Sequence, residues 1–332
     1  MHTRRQWLIP VAALLFLPLS ESCASAAEKW NFAFAIAPTN FQVQNARNFA
    51  KEVKDATGGE VDIVVHAGGA LGFKGPDHLA AVRDGLVQMA SIQMNQQVGE
   101  DVFFGIESLP FLATSYDELK LLQKFTRPVF DEITTKFNQK ILYLTPWPPQ
   151  NFFSKTPVSQ SPGQFNGLKV RTIDKNATDF FGKLGATTIQ LPWGEVVPSL
   201  ASGAINAVAT SSVGGVDGLF WEFIKHYTVL GWQMNTEMVT VNLDAWKRLK
   251  PDAQAKIEAI AKRSEPEFWK ISVAQDASNV VEMRKNGMQI DEISPEMKAN
   301  LRQIGESLWT DYLTKAGPRA QKAIESYKAA LK

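Results

Sequence analysis

The chain has 332 residues, 35 Lys and Arg against 34 Asp and Glu for a net charge of +1, and a single cysteine. With no basic stripe and no polybasic patch, this balance argues against a nucleic-acid or anionic-lipid binder. The length suffices for two domains held by core packing alone, because a mature chain lacking Cys23 has no disulfide and no thiolate metal site.

The N-terminus reads as an export signal. His2, Arg4 and Arg5 give a basic start, Leu8 to Leu19 an apolar run, and Ala24 to Ala27 a small-residue zone, so cleavage is expected near Ala26 or Ala27. The apolar run is interrupted by Pro10 and Pro18 and falls short of the ~20 residues of a membrane span. Thr3-Arg4-Arg5-Gln6-Trp7-Leu8 fits either a twin-arginine or a general secretory signal. Cys23 follows Ser20-Glu21-Ser22, a poor match to a lipoprotein site. Losing the leader removes Arg4, Arg5 and Glu21 and leaves the mature chain electrically balanced. Beyond it no run of about 18 apolar residues occurs, so nothing else is expected to cross a membrane.

The first half of the chain alternates strand and helix signals, which predicts an α/β sheet with helices on its faces. Lys29 to Ala37 reads as a strand; Val43, Ala46, Phe49, Ala50, Val53 and Ala56 then keep helical spacing up to Gly58-Gly59. Val61 to His66 is the next strand, Asp77 to Asp84 a short helix, and Leu86 to Gln93 another buried strand. Ser115-Tyr116-Asp117-Glu118 is a capping box that opens a helix running to about Asn138, and Ile141 to Thr145 returns as a strand. Pro146-Trp147-Pro148-Pro149 marks a domain crossing, because prolines stiffen the chain and end strands. Strands then restart at 151–154, 168–171, 187–190 and 207–210, and the apolar stretch from Thr228 to Asn242 is placed to cross back. Everything after Asp244 reads as helical, with one long amphipathic helix from Pro266 to Lys285.

Catalytic signatures are missing. His2, His66, His78 and His226 have no metal-ligand spacing, and Ser211-Ser212-Val213-Gly214-Gly215 is a small-residue turn, with no nucleophile elbow. Gly68-Gly69-Ala70-Leu71-Gly72 lacks the Gly-Lys-Ser/Thr of a phosphate loop. No cofactor, metal or enzymatic activity is therefore expected, with an exported enzyme as the distant alternative.

The informative residue is Arg171, at the end of the apolar strand signal carrying Leu168 and Val170. A guanidinium there is always charged and presents a planar fork that matches a carboxylate. Burying it unpaired is costly, so a partner anion is expected, either an internal Asp or Glu or a ligand.

Its surroundings resemble one family. Gly167 to Thr172, Leu184-Gly185-Ala186-Thr187, Pro192-Trp193-Gly194-Glu195-Val196 and Leu200-x-x-Gly203 are similar to the signature of solute receptors of tripartite ATP-independent periplasmic (TRAP) transporters, of the dicarboxylate-receptor type. Phe49 to Val53, Leu71-Gly72, Gly85 and Leu109-Pro110-Phe111-Leu112 fall in the order expected upstream. The resemblance implies an α/β two-lobe periplasmic binding protein fold, each lobe a mixed sheet flanked by helices, with a long helix bracing both. Residues 1–27 would be the signal peptide, 28–147 plus about 238–275 the first lobe, and 148–237 plus about 276–332 the second. It further implies a monomeric periplasmic receptor that closes on a small-molecule carboxylate and delivers it to the membrane permease subunits of a sodium-coupled transporter.

Carried over position by position, Arg171 becomes the carboxylate clamp and Trp193 a ring against the ligand, with core packing as its alternative. Thr210 stands where sugar-acid receptors carry an asparagine. Asn151 stands where they carry a second arginine, and Gln93 where they carry an acid. These departures remove charge, and with Trp147 and Phe41 as aromatic candidates they favour an aromatic or otherwise apolar monocarboxylate. Keto-, dicarboxylates and sugar acids are the alternative. Lys74, on the loop after Leu71-Gly72-Phe73, is a candidate for a second ligand oxygen, with a solvated surface role as its alternative. Thr39 and Asn40 are further polar candidates.

Overall fold

The computed structural model describes residues 27–331, so the expected signal with Cys23 and Ala26 lies outside the described residues. The strands are β1 (Glu28–Ala33), β2 (Val61–His66), β3 (Met89–Gln93), β4 (Gln139–Pro146), β5 (Gln150–Ser154), β6 (Lys169–Thr172), β7 (Thr187–Gln190), β8 (Ala207–Thr210), β9 (His226–Gln233), β10 (Thr236–Asn242) and β11 (Gln289–Glu292). They form two mixed sheets, in the orders β2-β1-β3-β10-β4 and β11-β9-β5-β8-β6-β7. In the first, β1 runs parallel to β2 and β3 while β10 is antiparallel to its neighbours. In the second, β6 runs parallel to β7 and β8.

Each sheet is apolar on both faces and is sandwiched by helices. Trp30, Phe32 and Val239 pack beneath the helix Phe41–Ala56, and Ala90, Ile92 and Leu144 pack against the helix Tyr116–Lys136 on the other side. In the second lobe, Phe152, Phe180, Phe181 and Trp232 form one stacked aromatic core, and Phe153 with Phe220 and Tyr227 the other. Large rings dominate because each removes much apolar area from water at little entropic cost.

Two strands of chain cross between the lobes, from β4 to β5 and from β9 to β10, and they run side by side. Trp147 N–H donates to the Asn235 carbonyl at 3.0 Å. The crossing is pinned by buried Glu107, which accepts from Thr236 N–H at 3.1 Å, Thr236 Oγ1 at 2.5 Å and Gln123 Nε2 at 3.2 Å. Burial pushes this carboxyl up to about 7, against the pull of those donors.

The third link is the helix Pro251–Lys285 of 35 residues, longer than the sequence predicts. Its Ile257, Ile260 and Phe268 enter the first-lobe core while Met283 enters the second. Pro251 occupies the first turn, where its missing N–H is harmless, whereas Pro266 lies inside the helix. Apolar residues on both sides of Pro266 bury against the same core, and that packing carries the helix through the proline. The stretch after it is not wholly helical either: β11 adds an edge strand beside β9.

The short helix Ser212–Asp217 sits against Phe153 because Gly215 has no side chain. A Cβ there would lie 2.5 Å from Phe153 Cζ and 2.8 Å from Met283 Sδ. Gly215→Ala is therefore expected to destabilise the second lobe by about 1–3 kcal/mol, read as a lower urea midpoint at unchanged slope.

Candidate functional site

Parallel strands bring their C-terminal ends to the space between the lobes, where ligands of open α/β sheets bind. Gln93 ends β3, Arg171 falls one residue before the end of β6, and Thr210 ends β8. The cleft between them is lined by Ile36, Asn40, Gln93 and Trp147 from one side and by Gln150, Arg171, Ile173, Trp193, Thr210, Ser211, Gly214 and Asp217 from the other. Its walls leave about 40 Å³ accessible to a water-sized sphere, room for a few waters or one compact ligand.

Arg171 is 1% exposed. Register fixes it between Ile189 of β7 and Val208 of β8, and its Nε and Nη2 both donate to the Leu191 carbonyl, at 3.0 and 2.8 Å. Among the described residues it forms no salt bridge and Nη1 has no hydrogen-bond partner. Burial lowers its proton affinity, pushing it down to about 10, and Asp174 partly offsets this. The group stays charged at neutral pH. The internal ion pair left open by the sequence is thus not made, and a cation in the wall of a cavity is left with donors directed at no protein acceptor. Such a site favours an anion, because the alternative is an uncompensated buried charge.

Asp174, three residues on, has its carboxyl engaged elsewhere. Its Oδ1 caps the helix Lys175–Lys183 through Ala177 N–H at 2.7 Å, and its Oδ2 accepts from Asn95 Nδ2 of the first lobe at 2.5 Å. Burial raises its pKa, and these donors work in the opposite direction. Two more contacts tie the lobes at the cleft. Asn40 caps the helix Phe41–Ala56 by accepting from Gln42 N–H at 2.9 Å, and its Nδ2 donates to Asp217 Oδ2 at 2.5 Å. Lys74 Nζ meets Glu195 Oε1 at 2.8 Å.

Of the residues singled out from sequence, Gln93, Trp147, Arg171, Trp193 and Thr210 all line the cleft. Three are placed differently. Asn151 is turned away, with Nδ2 bonded to Tyr227 Oη at 2.6 Å and the Pro149 carbonyl at 3.2 Å, and Oδ1 taking Gly231 N–H at 2.8 Å. Strand alternation is the reason: on β5 it is Gln150 that faces the cleft, so Asn151 faces the second-lobe core. Lys74 lies at the rim in an ion pair whose side chains are 63% and 46% exposed. Phe41 packs edge-on against Trp147, with ring centroids 5.8 Å apart, and supports that ring from the side of an outer groove. Asn40 does reach the cleft.

The sequence reading missed Ile36, Gln150, Ile173, Ser211, Gly214 and Asp217. The parity of β5 and the turn after β8 held the signal for Gln150 and Ser211. Nothing local marks Asp217, which sits at the end of a helix of 6 residues. Its carboxyl is raised in pKa by burial, against the Asn40 hydrogen bond. Among the described residues no cluster of three or more His, Cys, Asp and Glu forms a metal site, and no helix is long and apolar enough to cross a membrane.

Arg171→Lys keeps the charge and loses the fork, so affinity for a carboxylate ligand is expected to fall roughly 10- to 100-fold. Lys74→Ala removes an exposed pair and is expected to change affinity about fivefold or less. Isothermal titration of both variants checks the contrast. Equal losses would place Lys74 on the ligand.

Comparison with known proteins agrees with this architecture. Residues 32–315 match the family described as bacterial extracellular solute-binding protein, family 7 (DctP). Among solved structures, DctP7 of Bordetella pertussis, an extracytoplasmic solute receptor binding pyroglutamic acid, superposes with a TM-score of 0.88 at 29% identity, covering 91% of this chain and 100% of that one. Its relative DctP6 from the same organism, also binding pyroglutamic acid, gives 0.88 at 28% identity over 91% and 99%. The ectoine/5-hydroxyectoine-binding periplasmic protein UehA of Ruegeria pomeroyi is 22% identical over 330 residues, 95% of this chain and 94% of its own length. With the match spanning most of the chain and the two-lobe fold shared, this protein belongs to family 7 of the bacterial extracellular solute-binding proteins, the periplasmic solute receptors of TRAP transporters.

Proposed function

We propose that this receptor captures a compact monocarboxylate with an apolar body and one N–H donor, pyroglutamate being the leading candidate. The observation that carries the reading is Arg171, a buried cation with no ion pair and with free donors at the cleft. The ligand carboxylate supplies the missing anion. Ile36, Ile173, Trp147 and Trp193 offer apolar surface for the body of the ligand, and Gln93, Gln150 and Thr210 offer hydrogen bonds. Asp217 adds an acceptor on the same side of the cleft as Arg171, which suits a ligand that donates as well as accepts.

Within the monocarboxylates expected from sequence, the polar groups Gln93, Gln150, Thr210 and Asp217 in the wall favour a small ring that carries its own polar atoms over a purely aromatic acid. Arg171 is the one cation among the residues lining the cleft, so the second carboxylate of a dicarboxylate would meet no counter-charge there. A sugar acid would bring hydroxyls in excess of the polar atoms available. The similarity to the two Bordetella receptors supports the same class. Ligand binding favours the closed arrangement because Arg171 on one lobe and Gln93 and Trp147 on the other touch the same molecule only when the lobes meet. Closure also excludes water, which strengthens the ion pair. The closed receptor then presents its cargo to the permease subunits.

The test is a thermal-shift and titration panel of refolded, ligand-free mature protein against pyroglutamate, phenylacetate, succinate and galacturonate. A ligand at a hundred times its dissociation constant adds ~2.7 kcal/mol, and the largest upward shift is expected with pyroglutamate. Tighter binding of succinate or galacturonate would overturn the proposed class. Asp217→Asn is expected to weaken pyroglutamate by about 1.5–3 kcal/mol, the value of a hydrogen bond to a charged group, and to affect a carboxylate without an N–H less.

A further inference from the structure

Behind the Trp147–Gln93 wall lies a carboxyl that the binding scheme does not use. Glu237 is 4% exposed and, near the start of β10, pairs with Gln93 of β3 and Thr145 of the edge strand β4. Its neighbours are the Ser91 hydroxyl and the Trp147 indole. Contact with the indole falls short of hydrogen-bond geometry, for Glu237 Oε2 and Trp147 Nε1 are both buried and unpartnered. Among the described residues no cation offsets the carboxyl. Among the described residues no basic side chain of the helix Phe41–Ala56 or of the long helix Pro251–Lys285 is fully buried against this core. Tyr143 of β4 feels Glu237, Glu107 holds the neighbouring Thr236, and His78 bonds the Ser91 carbonyl at 2.7 Å. The long helix's half-buried carboxyls are engaged elsewhere, Glu265 with Leu144 N–H and Asp276 with Ser212 Oγ.

We propose that Glu237 is a specificity-determining residue that acts through the Trp147–Gln93 wall, setting the ligand charge the closed cleft accepts: one carboxylate is admitted and a second is opposed. The inference rests on Arg171 binding a ligand carboxylate. Its physical basis is that a buried, poorly hydrogen-bonded carboxyl and an anion in the adjacent cavity raise each other's cost in a low-dielectric site. Burial already pushes Glu237 up to about 7. A bound anion holds the proton more firmly still, so the sign of the linkage is fixed. Well below neutrality Glu237 is protonated in free and bound receptor alike, and affinity is flat. As the pH rises past the free-state value, binding takes up a proton, and affinity falls by up to about tenfold per pH unit.

Titration of the mature wild-type protein and Glu237→Gln with pyroglutamate and with succinate, from pH 5.5 to 8.5, tests this. In the wild type, pyroglutamate affinity should be constant at the acidic end and weaken above about pH 7, with succinate discriminated against most strongly in the alkaline range. Glu237→Gln should flatten the pyroglutamate profile relative to wild type and to Glu107→Gln, which removes the other carboxyl raised to about 7, and narrow the gap to succinate by roughly tenfold. A flat wild-type profile, or a pH dependence that survives in Glu237→Gln, overturns the proposal and leaves the receptor reading standing. Absence of any carboxylate binding at every pH overturns both. Should the variant fail to fold, wild-type calorimetry at pH 7.5 in two buffers of different protonation enthalpy decides, because zero proton uptake per ligand contradicts the linkage.

Discussion

A guanidinium sealed from water, with one backbone carbonyl as its fixed partner, organises the cleft. Arg171 gives two of its donors to Leu191 O, and this bond holds the planar group in one orientation without neutralising it. Were Asp174 to pair with it directly, the site would be satisfied and inert. Asp174 instead caps a helix and receives Asn95 from the opposite lobe, so its carboxyl is engaged in a contact between the lobes. The cation keeps its charge and remains short of a counter-ion, and the rest of the architecture can be understood as bringing one to it.

Two sheets with parallel strands ending at the same space supply the walls, and the paired crossing segments fix how those walls meet. Trp147 shows the economy of the arrangement. Its backbone N–H joins the two crossings, its ring lines the cleft, and Phe41 backs that ring. Displacing the crossing therefore displaces part of the cleft wall. The polar ties at the mouth, Asn40 with Asp217 and Lys74 with Glu195, link the lobes from opposite sides of the cleft. The exposed pair contributes little energy in water, so ligand contacts must supply most of the preference for closure.

Much of this was legible in the residues. Strand signals at Val61 to His66, Thr187 to Gln190 and Ala207 to Thr210 coincide with β2, β7 and β8, because short apolar or β-branched runs between turn residues have few other folds. Arg171 stood out because a cation ending a buried strand needs an explanation. The failures have equally local causes. Asn151 and Gln150 are adjacent on β5 and face opposite ways, a parity that single-residue carry-over does not read. Pro266 suggested a helix start, yet packing against the first-lobe core carries the helix from Pro251 through it. β11 is half exposed and lacks an apolar pattern, so only its pairing with β9 defines it. Asp217 reaches the cleft wall, and Glu237 the strand behind it, through tertiary placement alone, which charge counting along the chain does not read.

The most direct test of the central role of Arg171 is a crystal structure of the mature protein with its bound carboxylate. The account predicts ligand oxygens about 2.7–2.9 Å from the free guanidinium donors, with Arg171 still bonded to the Leu191 carbonyl and Asp174 still capping its helix. A ligand held elsewhere in the cleft, or Arg171 turned onto Asp174, would contradict it.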